Sequence, residues 1–181
     1  METILAHLLP LVSRRAIFPA MSISVGDSIP SATLRTLTAE GPQEVKTDDF
    51  FAGRKVVLFA VPGAFTPTCN NDHLPSFRDN ADAIREKGVA EIACVAINDM
   101  FALDAWSKAT ESAGKITMLS DGNGELSSAM GMTFDGSGFG LGTRSKRYAA
   151  IVDDGKVTAI EVEESPGACS VSSGSKILEN L

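Results

Sequence analysis

The sequence predicts an α/β domain: a central mixed β-sheet flanked by helices and opened by an N-terminal β-hairpin. Two apolar runs, Val56-Val57-Leu58-Phe59-Ala60-Val61 and Ile92-Ala93-Cys94-Val95-Ala96-Ile97, lack polar alternation, as strands covered on both faces do. Between them Leu74, Phe77, Ala81 and Ile84 keep helical spacing as far as Gly88. That is a β-α-β unit, whose strands run parallel through a right-handed crossover. Further on, Arg147 to Val152 and Lys156 to Val162 flank Asp153-Asp154-Gly155, an antiparallel hairpin signal, so the sheet is mixed.

The elements follow in chain order. Ala32 to Leu37 alternates like a strand, and Gly41-Pro42 marks a turn before Gln43 to Lys46; this is the opening hairpin. Thr47-Asp48-Asp49-Phe50-Phe51 offers an N-cap and acids for a helical turn that stops at Gly53. Lys55 to Val61 and Glu91 to Ile97 are the buried strands. Asp99 caps a helix carrying Phe101, Leu103, Ala105 and Trp106, closing at Gly114, and Ile116 to Ser120 is a further strand. Glu125 to Met130 is a short helix. The stretch Gly131 to Gly142 is glycine-rich and carries Phe134, Phe139 and Leu141, expected as a surface loop at the site's rim or at a dimer contact. Ser165-Pro166-Gly167 opens a loop holding Cys169, and Ser172 to Leu181 closes the chain as a helix. This order matches a thioredoxin-like α/β sandwich.

The 181 residues, 44% of them hydrophobic, suit one domain with a full core. A net charge of −7 without long basic runs argues against nucleic acid. With two histidines, His7 and His73, and three cysteines lacking Cys-x-x-Cys spacing, neither a metal site nor a bound cofactor is expected. The odd cysteine number and the adequate core favour a reducing compartment.

Residues 1–21 differ from the domain expected over residues 22–181. Met1 to Ala20 holds Leu5, Leu8, Leu9, Leu11, Val12, Ile17 and Phe18 beside Arg14-Arg15, with one acid, Glu2. An amphipathic helix with a basic side is the style of an organelle presequence, mitochondrial or other. Because the charge follows the apolar run, a secretory signal fits poorly, and the run is too short to span a bilayer. Met21 offers an alternative start, which gives a cytoplasmic form.

The chemistry is expected at Cys69, where the strand ending at Val61 passes through Pro62-Gly63-Ala64-Phe65-Thr66-Pro67-Thr68-Cys69 into a helix. Unpaired N–H groups at a helix start favour an anion, and the thiolate is the reactive form of cysteine. His73, four residues on, tempts a Cys-His hydrolase reading; a helix histidine packing near the rim is preferred. Cys94 is expected as a small buried hydrophobe, whereas Cys169 lies in a Gly-Pro context able to move.

The string Val61 to Cys69, followed by Asn70-Asn71-Asp72-His73-Leu74-Pro75-Ser76-Phe77, resembles the active-site signature of the peroxiredoxins, in particular the type II, peroxiredoxin-five-like branch. The resemblance runs from about Ser24 to the C-terminus and includes Cys94 to Asp99, Phe101, Trp106 and Gly142 to Tyr148. It implies a peroxidase that reduces hydrogen peroxide and organic hydroperoxides through a Cys69 sulfenic acid. Thr66 and Pro62 would shape the pocket, Arg147 would supply the cation, and thioredoxin or glutaredoxin with glutathione would recharge the enzyme. Arg144 is expected in a loop, as surface charge or outer support. Cys169 is preferred over Cys94 as the resolving thiol, with direct attack by an external thiol as a third route. A homodimer is implied. The alternative is a thioredoxin-like redox-sensing or chaperone module with little turnover.

Overall fold

The computed structural model describes residues 22–181; the expected presequence lies outside the described residues. The sheet has seven strands in the order β2-β1-β5-β4-β3-β8-β9. They are β1 (Thr33–Thr38), β2 (Gly41–Lys46), β3 (Lys55–Ala60), β4 (Glu91–Ala96), β5 (Thr117–Ser120), β8 (Tyr148–Asp153) and β9 (Lys156–Val162). A separate pair, β6 (Thr133–Asp135) and β7 (Thr143–Ser145), forms a small antiparallel sheet. In the main sheet β3-β4 and β4-β5 are parallel, and β1-β2, β1-β5, β3-β8 and β8-β9 are antiparallel. This is the expected mixed sheet of a thioredoxin-like fold.

The unbroken apolar runs are explained by two cores, one on each face. Val57, Phe59, Ile92, Cys94, Ala149 and Ile151 point to a layer completed by Phe77, Ile84, Leu103 and Trp106. Their neighbours Val56, Leu58, Ala93, Val95, Ala150 and Val152 meet Phe51, Leu126 and Met130 on the other face. Side chains alternate across a strand, so a strand between two apolar layers must be apolar throughout. The first layer carries α2 (Leu74–Asp79), α3 (Ala81–Glu86), α4 (Met100–Ala109) and α6 (Gly174–Glu179), while α1 (Thr47–Phe51) and α5 (Glu125–Ala129) serve the second.

Three details depart from the sequence reading. The first hairpin turns at Ala39-Glu40, not at Gly41-Pro42: Thr38 pairs with Gly41 and Leu37 with Pro42. β2 is an edge strand, where proline's missing donor is tolerated. The helix expected from Leu74 to Gly88 is broken at Asn80 and preceded by a π-helical turn, Cys69–His73, in which the Leu74 N–H donates to the Cys69 carbonyl. Pro75 has no N–H to close the regular ladder there. The glycine-rich stretch is no plain loop, because Phe134 pairs with Arg144 across β6 and β7.

Candidate active site

Past the end of β3 the chain turns at Pro62 and Gly63, both buried. The Gly63 carbonyl accepts from the Thr66 hydroxyl at 2.8 Å and from the Thr66 N–H at 3.3 Å. A Cβ on Gly63 would sit 3.2 Å from Thr66 Cγ2, so a larger residue would disturb the turn. Phe65 is held at φ 63, a left-handed conformation costly for a bulky residue. The next segment braces this strained turn: the Ala64 N–H donates to Asn98 Oδ1 at 3.0 Å. Thr66 then accepts the first helical bond, from Asn70 N–H at 2.9 Å, and the helix delivers Cys69 into the first core layer. Trp106 Nε1–H donates to Asn70 Oδ1 at 3.0 Å and ties α4 to this start.

Arg147 stands just ahead of β8 and is only 2% exposed. Its Nη2 donates to Cys69 Sγ at 3.3 Å and to the Pro166 carbonyl at 2.8 Å. Its Nη1 lies 3.0 Å from His73 Nδ1, and its buried Nε–H has no partner among the described residues. The His73 tautomer follows from these contacts. Nε2 is 2.9 Å from the Ser172 carbonyl, which can only accept, so Nε2 carries the proton and Nδ1 accepts from the guanidinium. Burial first, and the Arg147 charge second, push the His73 pKa down to about 3.

Behind His73, the Glu163 carboxylate folds the last loop onto itself. Its Oε1 accepts from the N–H groups of Ser170, Val171 and Ser172 at 2.7, 2.8 and 2.9 Å. The Ser172 hydroxyl donates to Oε1 at 2.9 Å and the Ser170 hydroxyl to Oε2 at 3.0 Å. Burial opposes the carboxylate, but the hydrogen bonds from Ser172, Val171 and Ser170 outweigh it and bring the pKa to about 2. This loop covers Cys69: besides Pro166, its Gly167 carbonyl accepts from the Thr68 hydroxyl at 3.1 Å.

Cys69 and Arg147 are thus brought into contact, with Thr66 and Pro62 in the turn that leads to the thiol. All three cysteines are free. Cys94 is buried on β4, where burial, with Cys69 as its next charged neighbour, raises its pKa well above the usual range. Cys169 is half-buried in the covering loop, and burial pushes its thiol up to about 11. His73 is not a rim residue but lies at the centre of the site, its two nitrogens engaged by Arg147 and Ser172, so neither is free to act as a base toward Cys69. Arg144 lies in β7, where its Nε donates to the Leu141 carbonyl and its Nη1 to the Ile97 carbonyl, both at 2.8 Å. Glu163, Ser172 and Asn98 had no role in the sequence reading; the one signal for the first two was an acid followed by the hydroxyl-rich run Ser170 to Ser173. Among the described residues no cluster of three or more His, Cys, Asp or Glu could hold a metal.

A guanidinium-held cysteine at the tip of a β-α-β unit in a thioredoxin-like sheet defines a thiol-dependent oxidoreductase. The Redoxin family model matches residues 24–178. The chloroplastic peroxiredoxin-2E-2 of Oryza sativa subsp. japonica is 47% identical over 168 residues, 88% of this chain and 73% of that protein. The chloroplastic peroxiredoxin-2E of Arabidopsis thaliana is 43% identical over 164 residues, 88% of this chain and 70% of that one. Reduced Prx3 of Vibrio vulnificus, solved in complex with H2O2, has the same fold at TM-score 0.83 and 47% identity, over 87% of this chain and 98% of that one. The chain belongs to the Redoxin family and, within it, to the type II peroxiredoxins, the thiol-dependent antioxidant peroxidases.

Proposed function

We propose that Cys69 is the thiol that meets the peroxide. The observation carrying this reading is Arg147 Nη2 at 3.3 Å from Cys69 Sγ, with no carboxylate among the ion pairs of the described residues reaching Arg147. A buried cation without an anion costs several kcal/mol; a Cys69 thiolate is the counter-charge. The thiolate attacks one peroxide oxygen, an S–O bond forms as the O–O bond breaks, and the other oxygen leaves as water or an alcohol after taking a proton. Thr66 offers a hydroxyl to the incoming oxygens, Pro62 keeps the pocket dry, and the unpartnered Arg147 Nε–H is a donor for the peroxide. The cavity of about 200 Å³ beside Arg147, lined by the apolar Phe134, Val162 and Pro166 together with the charged Lys146, Glu163 and Glu164, has room for a small hydroperoxide. Displacement of the Pro166-Gly167 cover admits the substrate.

Cys169 then attacks the sulfenic acid, forming a disulfide and releasing water. It rides on the covering loop, whereas Cys94 is fixed in a central strand. A dithiol partner, thioredoxin or glutaredoxin, reduces the disulfide. Phe65, Phe101 and Phe139, exposed at 55%, 59% and 85%, project from three segments tied together by Asn98 and Arg144, and this patch supports a homodimer. The chloroplastic names of the two plant relatives support an organelle address in Met1 to Ala20, ahead of a domain over residues 22–181.

Intact-mass analysis after one equivalent of hydrogen peroxide tests the scheme, with thiols alkylated afterward. Wild type should lose two hydrogens, Cys169→Ser should keep one oxygen on Cys69, and Cys94→Ser should behave like wild type. An oxygen adduct in Cys94→Ser alone would make Cys94 the resolver, and no reaction at Cys69 in any of them would overturn the reading.

A further inference from the structure

We propose that Glu163 is a positioning residue for the peroxide reaction, acting through Ser172 and His73 on Arg147; the inference rests on the peroxidase reading of Cys69 given above. Glu163 directly follows β9, and its side chain makes its hydrogen bonds to five donors of Ser170, Val171 and Ser172, with none to Cys69, His73 or Arg147. That cradle points the Ser172 carbonyl at His73 Nε2, 2.9 Å away. A carbonyl has no proton to give, so it holds the histidine proton on Nε2 and leaves Nδ1 bare. Only a bare Nδ1 can accept from Arg147 Nη1 at 3.0 Å. With Nη1 engaged there, Nη2 is directed at Cys69 Sγ.

The backbone closes the same circuit, because the Glu163 N–H donates to the Arg147 carbonyl at 3.0 Å. Arg147 is therefore gripped at its main chain by the residue whose side chain also sets its imidazole partner. If the cradle is lost, Ser172 is free to turn, the histidine proton is free to move to Nδ1, and the guanidinium meets a donor where it had an acceptor. The rate of attack on peroxide then falls, since a small misplacement of a reacting group can cost about 100-fold.

Cradle geometry and net charge are separable. In Glu163→Gln the amide oxygen can take the Oε1 position with all four of its donors, and the NH2 can turn to the Ser170 hydroxyl, which is able to accept. In Glu163→Ala nothing replaces the cradle. The full chain of each variant would be reacted with limiting hydrogen peroxide, following the fluorescence of the single tryptophan, Trp106, whose indole is bonded to Asn70 beside Cys69. In parallel, 15N NMR of the imidazoles would report the His73 tautomer, with His7→Gln removing the only other histidine signal.

We expect Glu163→Ala to lose about 10- to 100-fold in the bimolecular rate and to lose the pure Nε2–H signature, while Glu163→Gln stays within about fivefold of wild type and keeps that signature. A folded Glu163→Ala, checked by near-UV circular dichroism, that reacts at the wild-type rate with an unchanged tautomer would overturn the proposal. So would Glu163→Gln being as slow as Glu163→Ala, since that assigns the effect to charge. If Glu163→Ala does not fold, the tautomer and rate of Ser172→Pro take its place: lacking the cradle's N–H, it should slow and lose the pure Nε2–H signature, and a folded Ser172→Pro that matches wild type in both would overturn the proposal. A wild type inert to peroxide is a different failure, that of the peroxidase reading itself.

Discussion

Arg144 and Arg147 are identical side chains three positions apart, and the fold directs their donors to different kinds of partner. Between them the chain crosses from the small sheet to the main one, with the Lys146 N–H donating to the Met132 carbonyl at 2.8 Å. Arg144, half-buried in β7, ties Leu141 to Ile97 through two carbonyls and stabilises a rim of loops. Arg147, buried ahead of β8, reaches a sulfur, a neutral imidazole nitrogen and one carbonyl. Carbonyls suit either arginine, but a buried guanidinium left without a carboxylate needs another anion nearby. The proposed chemistry is accordingly placed on the polar spine of Cys69, Arg147, His73, Ser172 and Glu163, with the rim as its support.

The sharpest separation of spine from rim is in acid. The His73 pKa is lowered from 6.5 to about 3, so the unfolded chain takes up the proton first. The stability this gives is complete above pH 6.5 and is lost as pH falls toward 3, an effect of up to about 5 kcal/mol. Glu163, lowered from 4.5 to about 2, adds a loss in the same direction that begins only below pH 4.5. Urea midpoints of wild type should fall between pH 6.5 and 4.5, and those of His73→Gln should be flat there. An equal slope in both would place the titration elsewhere in the molecule.

A smaller effect is expected where the spine meets α6. A Cβ on Gly174 would lie 2.7 Å from the Ser76 carbonyl carbon and 2.9 Å from Phe77 Cα, both backbone atoms that cannot step aside. Gly174→Ala should cost about 1–3 kcal/mol in stability, read by chemical denaturation, and should loosen the Ser172 end of the covering loop. An unchanged midpoint would mean that α6 shifts without cost and that the spine does not depend on its seat.

Much of the sheet was legible because a strand between two apolar layers leaves an unbroken apolar run, as Val56 to Ala60 does. The placing of Cys69 past a strand end was legible from the strand-to-helix passage around it, whereas the roles expected of Pro62, Thr66 and Arg147 came from the family resemblance of the strings that hold them. His73 was misread as rim because its position on the helix says nothing of what covers it; the cover comes from Ser172, far along the chain. Glu163 escaped because its donors are backbone N–H groups, which leave no mark in a sequence. The small sheet was hidden by strands too short to show alternation and by glycines that read as loop, and with it went the placing of Arg144.

The most direct test of the central claim is the bimolecular rate of hydrogen peroxide with reduced Arg147→Lys and Arg144→Lys, measured beside wild type under one set of conditions. A lysine keeps the charge but cannot reach sulfur, imidazole and carbonyl together. Arg147→Lys should fall by about 100-fold or more, while Arg144→Lys, whose carbonyl partners accept an ammonium as well, should stay within about fivefold. Equal losses at the two positions, or a larger loss at Arg144, would contradict the assignment of Arg147 as the cation that serves Cys69.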